Sequence, residues 1–327
     1  MSHNNSKHKA KHNERRNDRL CDRKGICPLD PYTRVGLNGR DQVIGIADTG
    51  LDTTSCYFTT TEKSLAKDGS VQVSQRKVIQ YVPYADSLDD EAGHGTHTCG
   101  ILSRPLGKEN HSHEDGMMIA TDSKISFFDL GKVGTPYLLL PSEIEEIFTP
   151  AYESGARVHS NSWGSSGNIY SELSRQVDDY LHKKPDTLVI FPVGNQGLSG
   201  TFTVGNPGTS KNAIIVGSYT ASNDLTDAPI ESTVSYFSSI GPTYDGRIKP
   251  DILAPGHNVV SARASSVHNQ AAAAAAASTL ETCNQVEHEK SGTSTSVPSV
   301  AGAALLMRQY FMDPTQYASS CNKVRNQ

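Results

Sequence analysis

Five short runs set the terms on which this chain can fold. They are Val43-Ile44-Gly45-Ile46-Ala47, Lys124-Ile125-Ser126-Phe127-Phe128-Asp129, Ala156-Arg157-Val158-His159-Ser160, Thr187-Leu188-Val189-Ile190-Phe191-Pro192-Val193 and Ala213-Ile214-Ile215-Val216-Gly217. Each has the length of a strand, and the most apolar of them read as strands buried on both faces. Between them lie stretches of helical spacing. Ile144, Ile147, Phe148, Ala151 and Tyr152 share one face of Ser142 to Tyr152, where Pro150 should kink or end the helix. Leu173, Val177, Tyr180 and Leu181 mark a second helix. Strands alternating with helices predict an α/β fold: a mostly parallel, doubly wound sheet flanked by helices. At 327 residues and 36% hydrophobic, the chain can bury such a core.

The turns that close these strands carry the chemistry. The first run ends in Asp48-Thr49-Gly50-Leu51-Asp52, at the carboxyl end of a strand, where open α/β sheets place their ligands. Taken alone, Asp48 is equally a turn former or a helix cap. The fourth run closes on Gly194-Asn195-Gln196-Gly197. Glu91 to Leu102 holds two histidines three apart, His94 and His97. They read either as metal ligands, although no third ligand falls at a zinc-like spacing, or as a general base at a helix start supported by its neighbour one turn on. Near the end, Gly292-Thr293-Ser294-Thr295-Ser296-Val297-Pro298 leads into small apolar residues up to Leu306. Proline is tolerated in a first helical turn, so the pattern puts Ser294 just before a buried helix, beside unpaired N–H groups and the positive end of the dipole. That suits a serine that attacks a carbonyl and then steadies the oxyanion. An N-capping serine would look the same.

A net charge of −5 does not point to a nucleic-acid partner, and no apolar run reaches the length of a membrane span. Eight Lys and Arg against three Asp and Glu make the first 24 residues basic, without the apolar core of a secretory signal. Residues 1–30 are expected to be a disordered, solvated tail, with nucleic-acid contact or a localisation signal as the other uses of such charge. The tract Ala271 to Ala277 could form helix, but the polar stretch it lies in, about 265–290, reads rather as a low-complexity surface loop inserted in a domain spanning 31–327. Six cysteines neither require nor exclude an oxidising compartment.

Four stretches then converge. Asp48-Thr49-Gly50, His94-Gly95-Thr96-His97, Gly194-Asn195 and Gly292-Thr293-Ser294 resemble, in that order, the active-site motifs of the subtilisin-like serine proteases (peptidase S8 type). The resemblance runs from about Gly36 to Tyr310. Gly155 to Gly164 and Asp245 to Asp251 look most like the oxidation-stable alkaline branch, whose members carry a C-terminal β-sandwich that this sequence does not contain. The resemblance implies a serine endopeptidase that cuts polypeptide substrates through an acyl-enzyme. Ser294 would be the nucleophile, His94 its base, Asp48 the residue that orients His94, and Asn195 an oxyanion donor. Ser162-Trp163-Gly164 matches the segment that pairs with an extended substrate, with Trp163 where the family usually has Leu. Thr295 follows Ser294 where relatives carry Met.

No cofactor is implied. A structural calcium is common in the family, but no carboxylate cluster here matches a calcium loop. Such enzymes are usually secreted, whereas no signal peptide or pro-domain is visible, so compartment, activation route and oligomeric state stay open. The resemblance would bring Cys56 and Cys99 close enough for a disulfide in an oxidising compartment. A catalytically silent fold used for binding is the rival to the enzyme. Retention of Asp48, His94, Ser294 and Asn195 argues against it.

Overall fold

The computed structural model describes residues 32, 35–59, 65–90, 92–106, 118–220, 233–275 and 287–313. The expected tail over 1–30 lies outside them, as do residues 276–286 of the expected insertion. In chain order the elements are β1 (Val43–Asp48), β2 (Val78–Val82), α1 (His94–Gly100), β3 (Lys124–Asp129), α2 (Glu145–Glu153), β4 (Val158–Asn161), α3 (Glu172–Lys183) and β5 (Leu188–Pro192). There follow β6 (Ile214–Thr220), β7 (Thr233–Val234), β8 (Ile252–Pro255), β9 (Val259–Ala262), α4 (Val267–Ala275), β10 (Glu287–Lys290) and α5 (Thr293–Met312).

All five expected strands form and pair in one eight-stranded sheet of order β2-β3-β1-β4-β5-β6-β7, with β8 also on β6. Every pairing in it is parallel except that of the two-residue β7. Because β1 lies between β3 and β4, the winding reverses beside it. The crevice this opens at the carboxyl end of β1 is where Asp48 sits. Neighbouring side chains alternate between two cores, as the pleat requires. Ile44, Ile46, Phe127, Ile190 and Val216 pack on one face with Cys99 of α1 and Val297, Ala301, Leu305 and Leu306 of α5. Ala47, Phe128, Val189, Phe191 and Ile215 pack on the other with Phe148 of α2 and Val177 and Tyr180 of α3. Each fully buried aliphatic or aromatic side chain contributes roughly 1.5–3 kcal/mol, so both faces of the sheet are firmly covered.

Three expectations change. Pro250 to Gly256, which the sequence suggests is a loop, contains β8, parallel to β6 from Val216↔Ile252 to Tyr219↔Pro255. It lies at the sheet edge, where proline costs no ladder bond. The first part of the alanine tract is helical, in α4. Pro150 does not stop α2 at once: the helix continues to Glu153, and Ser154 N–H still donates to Pro150 O at 3.0 Å.

Candidate active site

Asp48 ends β1 fully buried, and its carboxylate collects three donors. Thr49 N–H reaches Oδ1 at 2.8 Å, Thr98 Oγ1 reaches Oδ2 at 3.2 Å, and His94 Nδ1 lies 2.6 Å from Oδ1. An acceptor at Nδ1 fixes the tautomer and leaves Nε2 as the basic nitrogen. Burial pulls the imidazole pKa down, but the charge of Asp48 and its hydrogen bond outweigh burial and leave it raised above 6.5. The side chain keeps 29% of its surface open to the cleft.

His94 is the first residue of α1, whose entry is unusual. Gly93 stands at φ 59°, in the left-handed region that glycine enters without strain, and supplies no side-chain cap. The caps come instead from distant residues. Gly95 N–H donates to Thr49 Oγ1 at 2.9 Å and Thr96 N–H to Asp89 Oδ2 at 2.9 Å. Gly95 is also required by close approach: a Cβ there would meet Gly50 O at 2.1 Å. His97 faces inward, its Nε2 3.0 Å from the carbonyls of both Val259 and His288. Two carbonyls can only accept, so Nε2 carries the proton and is not a metal-binding atom. Burial holds the His97 pKa down to about 4. Among the described residues no group of three or more His, Cys, Asp or Glu side chains is placed to hold a metal.

Ser294 lies inside the first turn of α5 rather than just before it. Pro298, four residues on, has no N–H to offer Ser294 O. Ser162 Oγ takes the place, donating to that carbonyl at 2.7 Å. The proline thus ties the Ser294 turn to the segment after β4. Asn195 is anchored as firmly. Its Oδ1 accepts from Thr293 N–H at 2.8 Å and Thr293 Oγ1 at 2.9 Å. A backbone N–H can only donate, so the amide orientation is determined, and the NH₂ group is the end left over.

Asp48, His94, Ser162, Trp163, Gly164, Asn195 and Ser294 all line one cavity of about 730 Å³. Trp163 is buried edge-on to Phe191, ring centres 5.1 Å apart, and forms the cavity's apolar wall with Leu138, Leu140 and Leu173. Its remaining lining is uncharged, mostly Ser, Thr, Gly and Asn.

The profile of the subtilase family matches residues 39–323. The chain belongs to the subtilase family. It is 29% identical over 362 residues to the Dictyostelium discoideum serine protease/ABC transporter B family protein tagB, a match covering 89% of this chain and 19% of that protein. Over 131 residues it is 37% identical to the Bacillus subtilis serine protease AprX, covering 39% of this chain and 27% of that one. The chain therefore spans about a fifth of the length of its Dictyostelium relative. In structure it resembles a cold-adapted subtilisin-like serine proteinase (TM-score 0.52, 21% identity, 91% and 86% of the two chains) and Sphericase (TM-score 0.53, 22% identity, 87% and 86%). The Dictyostelium and Bacillus relatives are both named as serine proteases.

Sequence reasoning missed four residues of this subtilase site: Thr49, Asp89, Thr98 and Thr293. Thr49 and Thr98 bond to Asp48 and Thr293 to Asn195, while Asp89 acts one step further out, through Thr49 and Thr96. Thr49 and Thr293 each adjoin a site residue, which is the only hint they give; Asp89 sits in an acidic run where nothing separates a buried cap from solvated charge. The expected Cys56–Cys99 bridge is absent. Cys99 is a free thiol in the core, its pKa pushed well above the ordinary range by burial, and Cys56 is disulfide-bonded elsewhere.

Proposed function

We propose that this subtilase is an endopeptidase working through an Asp48–His94–Ser294 triad and an acyl-enzyme. The reading is carried by one observation: an Asp48–His94 pair at 2.6 Å faces the cavity that Ser294 and Asn195 also line. Ser294 Oγ attacks the scissile carbonyl carbon as its proton passes to His94 Nε2. The resulting imidazolium is steadied by Asp48, and its proton then leaves with the amine as the C–N bond breaks. Water repeats the sequence to release the acyl group. Thr293 N–H and the Asn195 carbonyl are already engaged, which leaves the Ser294 N–H and the Asn195 NH₂ to stabilise the oxyanion. Ser162 to Gly164 would pair with an extended polypeptide as an added strand. Within the family, the phrases at 155–164 and 245–251 favour the oxidation-stable alkaline branch.

A serine-directed phosphonate tests the triad. Ser294 is expected to be the labelled residue, with Ser294→Ala and His94→Ala each abolishing casein hydrolysis. Labelling at another serine, or hydrolysis surviving in Ser294→Ala, would overturn the assignment.

A further inference from the structure

The carboxylate of Asp89 is fully buried and has no place in the chemistry above. It accepts from Thr49 Oγ1 at 2.9 Å and from Asp90 N–H at 3.0 Å, both on Oδ1, and from Thr96 N–H at 2.9 Å on Oδ2. Thr49 follows Asp48 and Thr96 follows His94 by two residues. Asp89 therefore bridges the strand end that carries Asp48 to the helix that carries His94. Thr49 Oγ1 already accepts from Gly95 N–H, so its own hydrogen is free to point at Asp89. All three groups around the carboxylate act as donors, which favours the ionised form, while burial works against them and pushes the pKa up to about 7.

Asp89 is itself gripped by the segment that reads as a surface insertion. Gln270 of α4 is 2% exposed. It accepts from Asp89 N–H at 3.0 Å through Oε1, while its Nε2 donates to Asp89 O at 2.9 Å and Ser265 O at 2.7 Å. At the other end of the insertion, Lys290 of β10 donates to Ala92 O at 2.6 Å. The loop from Asp89 to Ala92, which delivers the chain into His94, is thus held at both ends by one excursion of the chain. A low-complexity surface loop has no reason to place a glutamine in this position.

We propose that Asp89 is a positioning residue for His94, and that Gln270 and Lys290 hold it in place from the two ends of the 265–290 segment. This rests on His94 being the general base. His94 is faced by Asp48 from β1, Asp89 from the preceding loop, Lys290 from β10 and His97 from its own helix. Asp89 in turn is faced by Asp48, Asp129, Tyr81, Lys67 and Cys99.

The test uses the full chain, with active sites counted by phosphonate titration so that misfolded protein is not scored. Asp89→Asn is expected to lower kcat at least about tenfold with KM little changed. Gln270→Ala leaves the charge in place. It should lower kcat about threefold with KM little changed, and it serves if Asp89→Asn does not fold. A purely structural role would reduce the number of titratable sites and leave kcat per site unchanged. That outcome in both variants overturns the proposal. His94→Ala is run beside them: if it retains activity, the triad reading has failed, whereas if it is inactive and both variants behave as wild type, only the role of Asp89 has.

Discussion

At Asn195 the side chain has a single orientation available, because Thr293 N–H and Oγ1 both need its carbonyl. In the proposed mechanism the NH₂ is therefore aimed before substrate arrives, and preorganised donors act on the transition state rather than on ground-state binding. Asn195→Ala should lower kcat by about 10²–10³, the known effect in subtilisin itself, with KM nearly unchanged. Steady-state kinetics decide it, and a variant within about threefold of wild type would remove Asn195 from that role. Residues of this kind are legible when they stand at a strand end beside glycine, as Asp48 and Asn195 do. Thr293 and Asp89 are not, because what they do depends on a partner 98 or seven residues away.

Among the elements, α1 has the least local support. Its sequence, His-Gly-Thr-His-Thr-Cys-Gly, shows no apolar periodicity and its first turn has no acidic residue. The helix forms because the end of β1 and Asp89 satisfy its N–H groups and because six of its seven residues are buried. The fit against β1 leaves no slack at Gly95, where a Cβ would press on Gly50 O at 2.1 Å and on Asp48 Cβ at 3.1 Å. Gly95→Ala should push α1 away from Asp48 by a fraction of an ångström to about 1 Å, and kcat per titrated site should fall on the order of 100-fold. Thermal unfolding should move down as well. Wild-type kinetics in this variant would show that the contact gives way elsewhere. The buried strands were easier to read than the helix: β3 matches its apolar run from Lys124 to Asp129 because both of its faces are covered. β10, Glu-His-Glu-Lys, carries no such mark and is a strand only through its pairing with β9.

Across the whole molecule, buried titratable groups set how stability responds to pH. Asp129, pushed up to about 9 mainly by burial, and Asp89, pushed up to about 7 by burial, hold protons more tightly folded than unfolded. Such groups stabilise most below their unfolded values and lose that contribution as pH rises through the folded ones. His97 at about 4 and His159 at about 3, both lowered by burial, act oppositely below pH 6.5. The two sets roughly cancel from pH 4 to 6.5. Above that Asp129 dominates the acidic groups, while the depressed Lys77 amine has the opposite sign. The clean measurement is a difference. Between pH 7 and 9, wild type should lose about 1.4 kcal/mol per pH unit more than Asp129→Asn in chemical denaturation. Parallel slopes would mean Asp129 is ionised throughout. The alternation of strands and helices made the sheet legible, but not the carboxylates paired across it: Asp48 and Asp129 are in register on β1 and β3, one beside the cleft and one bonded to Tyr81.

The winding of the sheet also has a consequence in time. Asp48 lies on the first strand of the sheet and Ser294 on the helix that follows the last, with His94 and Asn195 between them. On the ribosome, most of this domain emerges before Ser294 does. Under the proposed triad, a nascent chain cannot cut before α5 is made, because that helix brings Ser294 and also completes the core on which β1 packs.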